Sequence, residues 1–254
     1  MRLLLTIIFL CLAVPALAAN DRLVKIETRP GVFVPFYYMK REGAKATVLL
    51  LTGGSGGIAV KNGIPTSNNF LVRSRDLFAA NGFNVVVVGK PSDHDDLDGT
   101  FRTSPEHAED LRRVIAFAKG DAGSPVWVIG TSMGTISAAA LATVAGKDEI
   151  NGIVLTSSVT RKKVGALPQQ KLELIKQPVL VVHHQSDECK ICVPGDLPQI
   201  IQQMKNAPIK KEVYVSGGTT PTGDPCQALH RHGFIGVEKE VVDLISDWIK
   251  NPKP

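Results

Sequence analysis

Beyond residue 20 the hydrophobic pattern changes character along the chain. Residues 23–28 and 32–39 carry alternating or clustered apolar positions on either side of Arg29-Pro30-Gly31, which predicts two strands joined by a tight turn at a sheet edge. Residues 46–51, 85–88, 126–129, 153–155, 179–182 and 212–215 are short and almost continuously apolar, the pattern of strands covered on both faces. Between them, residues 69–81, 105–119, 132–145, 198–205 and 236–250 read as helices. Alternation of this kind predicts an α/β fold: a mostly parallel central sheet with an antiparallel N-terminal start, helices on both faces and right-handed crossovers. No repeat, low-complexity tract or shift in composition marks a second domain. Residues 19–254 are therefore expected to form one domain, within the usual size range for this class.

In such sheets ligands bind outside the carboxyl ends of the strands. That confines the search for chemistry to residues 52–57, 90–94, 130–134, 157–158, 183–192 and the long connection 216–233. The third of these is Gly130-Thr131-Ser132-Met133-Gly134, a G-x-S-x-G pattern that follows a strand directly and opens a helix of small residues. Glycines at its ends suit a sharp turn that crowds the backbone and raises the serine hydroxyl at a helix N-terminus. A serine hydroxyl is a poor nucleophile at neutral pH, so it needs a base, and the base needs an orienting carboxylate. Asp187 or Glu188, after the strand 179–182, offers the acid, and His230 or His232, before the last helix, offers the base.

The elbow at Ser132, the Asp187 loop after a late strand and the His232-Gly233-Phe234 step before the final helix resemble the α/β-hydrolase superfamily across nearly all of residues 22–250. The resemblance implies Ser132 as nucleophile, Asp187 as acid with Glu188 the alternative, and His232 as base, chosen over His230 because it abuts Gly-Phe and the helix. It also implies two backbone donors for the oxyanion, Met133 and a residue of the glycine-rich loop 52–57. Thr52 stands where such hydrolases often carry histidine, which leaves Gly54 as the first choice and Ser55 as the second. The same glycines are not a phosphate loop, because no Gly-Lys-Ser/Thr follows. No cofactor is expected. The connection between residues 155 and 179 is too short for a large lid, so the expected substrate is a soluble ester or an exposed ester linkage of a polymer reached through an open cleft. Residues 92–96 and 101–103 are candidates for its wall, with His94 and Arg102 facing a substrate carboxylate. Carboxylester hydrolysis through an acyl-enzyme is the leading function. A peptidase or amidase on the same triad and a non-catalytic binding module are the alternatives.

Composition and charge narrow the partners. With 44% hydrophobic and 21% charged residues the chain is neither disordered nor fibrous. The net charge is +5, but basic residues cluster only at 161–163 and 210–211, without interleaved aromatics, so no nucleic-acid partner is expected. Arg2, the apolar run 3–12, Pro15 and Ala16-Leu17-Ala18 predict a signal peptide over residues 1–18, hence export to periplasm or medium and no stable membrane anchor after cleavage. Cys11 leaves with it, and Cys189, Cys192 and Cys226 remain in an oxidising compartment, enough for one disulfide and one free thiol. A zinc site from His183, His184, Cys189 and Cys192 is disfavoured because neighbouring strand side chains point to opposite faces. No metal is expected. Given the triad that the resemblance implies, a Cys189–Cys226 disulfide ties the acid loop to the base loop; Cys192–Cys226 and Cys189–Cys192 are the competing pairs.

Overall fold

The computed structural model describes residues 21–146 and 148–254. The expected leader, residues 1–18, lies outside the described residues. Eight strands form one sheet: β1 Arg22–Arg29, β2 Val32–Met39, β3 Ala46–Leu51, β4 Phe83–Val88, β5 Val126–Thr131, β6 Gly152–Thr156, β7 Val179–His184 and β8 Lys210–Val215. Their order across the sheet is β1-β2-β4-β3-β5-β6-β7-β8. The pairs β1/β2 and β2/β4 are antiparallel and every other pair is parallel, as the hydrophobic pattern predicts.

Among the described residues, seven α-helices accompany the sheet: α1 Phe70–Arg73, α2 Arg75–Ala80, α3 Gly99–Arg102, α4 Pro105–Ala122, α5 Met133–Val144, α6 Leu197–Gln203 and α7 Glu238–Lys250. Alternate strand residues face opposite ways, and each strand interior is apolar at both because both faces are covered. Leu49, Val86, Val128 and Val181 pack with residues of α4, α5 and α6, whereas Leu50, Val85, Ile129 and Val182 pack with α1, α2 and α7. Trp127 of β5 meets Trp248 of α7 edge-on, with ring centroids 5.5 Å apart.

The structure differs from the hydrophobic pattern mainly at element ends. Strands β5 and β7 run two residues past their last apolar position, through Gly130-Thr131 and His183-His184, because a ladder is held by backbone bonds and needs no apolar side chain. The helix expected over 69–81 is broken at Ser74, which closes α1 through its N–H to the Phe70 carbonyl and then precedes α2. Asp98 caps the short α3, for which no apolar period exists, by accepting from the Phe101 N–H at 2.8 Å. Residues 157–178 hold only two 3₁₀ turns, Leu167–Gln169 and Leu172–Leu174, so no large lid covers the strand ends.

Candidate active site

Ser132 sits between β5 and α5 with φ 51° and ψ −125°, a backbone state that costs a non-glycine residue about 1–3 kcal/mol and needs surrounding structure to hold it. The neighbouring glycines supply the room. A Cβ on Gly130 would stand 2.4 Å from the Gly134 carbonyl oxygen, and one on Gly134 would stand 2.1 Å from that of Leu51. Gly53 is constrained in the same way, since its Cβ would meet the Ser132 Cβ at 2.8 Å. The turn is pinned by the Ser132 N–H donating to the Thr156 carbonyl at 3.0 Å and by Thr135, whose N–H and hydroxyl both reach the Ser132 carbonyl.

Asp187 and His232 form a buried pair. The His232 Nδ1 lies 2.8 Å from Asp187 Oδ2, and the opposite Asp187 oxygen accepts the Cys189 N–H at 2.9 Å. His183 Nε2 also lies 3.0 Å from Asp187 Oδ2. Burial alone would raise the Asp187 carboxyl, but hydrogen bonds from His183 and His232 outweigh it and hold the group down at about 2. The ionised carboxylate thereby fixes the His232 tautomer with its proton on Nδ1, leaving Nε2 as the basic nitrogen. That Nε2 is buried and has no partner among the described residues.

Ser132 and His232 line one open cleft of about 430 Å³, together with Gly53, Gly54, Ser55 and Met133. The bond from the Ser132 hydroxyl to His232 Nε2 is not formed. Catalytic hydrogen bonds often close only when substrate binds. Met133, first residue of α5, has one of the N–H groups that helix geometry leaves without an intrahelical partner. Gly54 takes φ 55°, and its carbonyl accepts from Arg102 at 3.0 Å, which anchors the loop beside Ser132.

Of the alternatives open in the sequence, His230 and Glu188 find each other, at 3.5 Å, on the partly exposed side of the loop. The disulfide joins Cys189 to Cys226 and leaves Cys192 as a buried free thiol. Burial and the Asp187 charge push that thiol well above its ordinary range. Cys189, Cys192 and His232 offer ligand atoms within 4.8 Å of one another, but the Cys189 sulfur is consumed by the disulfide and provides no thiolate. His183 and His184 diverge as strand geometry requires, one toward Asp187 and the other toward the Gly217 carbonyl.

One expectation fails. Arg102 does not face the cleft: it is 2% exposed and spends its guanidinium on the Leu97 carbonyl, Ser137 and the Gly54 carbonyl. His94 stacks on Phe101 and pairs with Asp93. Of the expected wall, Asp96 stands beside the cleft, and the wall continues through Leu97 to Thr100 with Lys163, because α3 turns the chain inward after Asp98.

Three supporting contacts were missed in the sequence. His183 contributes the second histidine contact to Asp187, and its place four residues before the acid is the one hint available. Ser157 donates its hydroxyl to the His232 carbonyl at 2.7 Å. Arg73 donates to the Gly233 carbonyl while paired with Glu238. Gly233 itself leaves no room for a side chain, since a Cβ would stand 1.9 Å from the Ala228 carbonyl.

Sheet order, crossovers and the strand-turn-helix elbow define the class: the chain has the α/β-hydrolase fold. No protein-family model matches the sequence, and no curated protein matches it. Solved structures do. A cold-adapted esterase from an Arctic intertidal metagenomic library superposes with a TM-score of 0.65 at 16% identity, over 91% of this chain and 94% of that one. A dienelactone hydrolase from Anabaena variabilis gives 0.66 at 14% identity, over 91% and 97%. A Pyrococcus furiosus esterase gives 0.64 at 15% identity, over 91% of each.

Proposed function

We propose that the protein is an exported serine hydrolase, a carboxylesterase that cleaves soluble or surface-exposed ester bonds. One observation carries the reading: the buried Asp187–His232 pair presents an unpartnered Nε2 in the same cleft as Ser132, which sits at a strained strand-to-helix turn. In the reaction the Ser132 hydroxyl turns toward His232, gives its proton to Nε2 and attacks the ester carbonyl. The tetrahedral oxyanion is received by the N–H groups of Met133 and Gly54, each worth about 3 kcal/mol of barrier. Its collapse passes the proton from His232 to the departing alkoxide, and His232 then activates the water that releases the acid. Asp187 remains ionised and stabilises the imidazolium throughout.

The lidless cleft supports small or exposed substrates over long buried acyl chains. Esterases among the structural neighbours support an ester over an amide. The Cys189–Cys226 disulfide supports export, since such bonds persist in oxidising compartments. Fluorophosphonate labelling tests the nucleophile: the parent labels and Ser132→Ala does not. Absence of serine-dependent labelling in folded protein makes the molecule a binding module. Short-chain nitrophenyl esters are expected to turn over faster than the matching anilides, and the reverse ranking makes it an amidase. N-terminal sequencing of protein from a cell fraction outside the cytoplasm is expected to begin at Ala19.

A further inference from the structure

A second cavity, of about 560 Å³, opens between α4, α5 and residues 165–174 and shares no lining residue with the cleft that holds Ser132. Its size is in the range of small-molecule sites. Buried Ala108, Leu111 and Leu141 line it, and the exposed apolar side chains Val144 and Leu174 stand at its mouth.

The charge in its wall is one-sided. Arg102, Arg112 and Lys171 line the cavity, and among the described residues no Asp or Glu does. Arg112 is paired with Glu149 outside the cavity, whereas among the described residues Arg102 has no carboxylate partner within salt-bridge distance. Three of its five N–H groups reach neutral acceptors, on Leu97, Ser137 and Gly54. A guanidinium 2% exposed with no carboxylate in contact is an expensive arrangement: burial lowers its proton affinity to about 10, and the more distant charges of Asp96 and Asp98 offset only part of that. Beside it, His107 Nδ1 and Gln170 Oε1 are buried without partners among the described residues. His107 is held neutral by burial, with its pKa near 3, and Nε2 lies 2.9 Å from Ser137 Oγ. In the tautomer in which Ser137 donates to Nε2, the Nδ1–H is a further donor lacking an acceptor.

We propose that this cavity binds a small carboxylate amphiphile, its head group on Arg102 and His107 and its chain along Leu111, Leu141 and Leu174. A carboxylate matches the fork of the guanidinium and supplies a counter-charge in direct contact, nearer than Asp96 and Asp98, while the apolar lining matches an alkyl chain. The site differs in place and in chemistry from the ester cleft and does not depend on hydrolysis there.

Decanoate is the probe, titrated into the mature full chain by isothermal titration calorimetry, with decanol as the uncharged control. Two variants report the location: Ala140→Phe fills the cavity, and Leu174→Glu puts a like charge at its exposed mouth. Decanoate is expected to bind saturably at one site, with decanol and each variant at least roughly tenfold weaker, the loss of one charge-assisted contact. Circular dichroism and melting checks that the variants are folded, and if Ala140→Phe is not, the exposed Leu174→Glu decides. Unchanged decanoate affinity in the folded variants places the ligand elsewhere, for instance in the Ser132 cleft, and overturns the proposal. So does decanol binding as tightly as decanoate, or the absence of saturable binding.

Discussion

The Cys189–Cys226 disulfide closes a loop 37 residues long that begins two residues after Asp187 and ends six before His232. In the chain-entropy account, a closed loop of that length stabilises the fold by about 4 kcal/mol by restricting the unfolded chain. For a chain of this size each kcal/mol moves the melting temperature by about 2–4 °C, so loss of the bond should lower it by about 8–16 °C. The perturbation needs care, because the sulfurs of Cys189 and Cys192 lie within 4.8 Å and would pair once Cys226 is removed. The comparison is therefore Cys192→Ala against Cys192→Ala/Cys226→Ala, by denaturant and thermal unfolding at neutral pH without reductant. Peptide mapping of the first protein must show the 189–226 link. Turnover of a nitrophenyl ester should fall along with stability in the double variant, since both candidate catalytic loops lose their common tether. A stability loss below about 1 kcal/mol, with the link present in the parent, would refute the reasoning. It would mean that the Ser157 bond to the His232 carbonyl and the Cys189 N–H bond to Asp187 already hold the loops as tightly as the sulfur bridge does.

Other expectations follow from single contacts. The Asp187 carboxyl falls from an ordinary 3.8 to about 2 in the fold, which stabilises the native state by about 2 kcal/mol above pH 4. Because the folded value is the lower one, that contribution is lost as pH falls through about 2; denaturant midpoints between pH 5 and pH 2 should drop more steeply for the parent than for Asp187→Asn, and equal slopes would contradict the assignment. Gly134→Ala places a Cβ 2.1 Å from the Leu51 carbonyl, backbone against backbone, and should cost at least about 2 kcal/mol in unfolding free energy, whereas Gly31→Ala, with no atom near its Cβ, should cost less despite its φ of 73°. Arg73→Met removes the donor to the Gly233 carbonyl beside His232 and should lower kcat about tenfold with little change in KM, because in the proposed reaction the displaced group moves the proton and does not hold the ester. A rise in KM alone would assign Arg73 to substrate binding.

Much of this molecule was legible before its coordinates. Apolar runs that ignore the alternation of strand faces announce a sheet covered on both sides, and Leu49 and Leu50 indeed enter different cores. The crowding of Gly130 against the Gly134 carbonyl is likewise local chemistry, written in neighbouring residues, whereas Gly134 is crowded by the Leu51 carbonyl at the end of β3, a contact that only the folded sheet makes. Backbone ladders, however, carried β5 and β7 past their apolar positions, and Ser74 broke a helix whose apolar spacing continues through it.

Choices among chemically equal side chains belonged to the tertiary structure. His230 and His232 differ in sequence by little more than their neighbours, yet the 3₁₀ turn Arg231–Gly233 sends one to Asp187 and the other to Glu188. Three cysteines admit three pairings, and the approach of two loops 37 residues apart selected one. Arg102, which as a sequence position looked like a cleft residue, became a buried guanidinium hydrogen-bonded to neutral acceptors because α3 packs against α5. Local patterns specify which elements form and how they turn. Which polar groups meet, and which are left without partners, depends on contacts between segments far apart in the chain, and there the hydrophobic period carries no information.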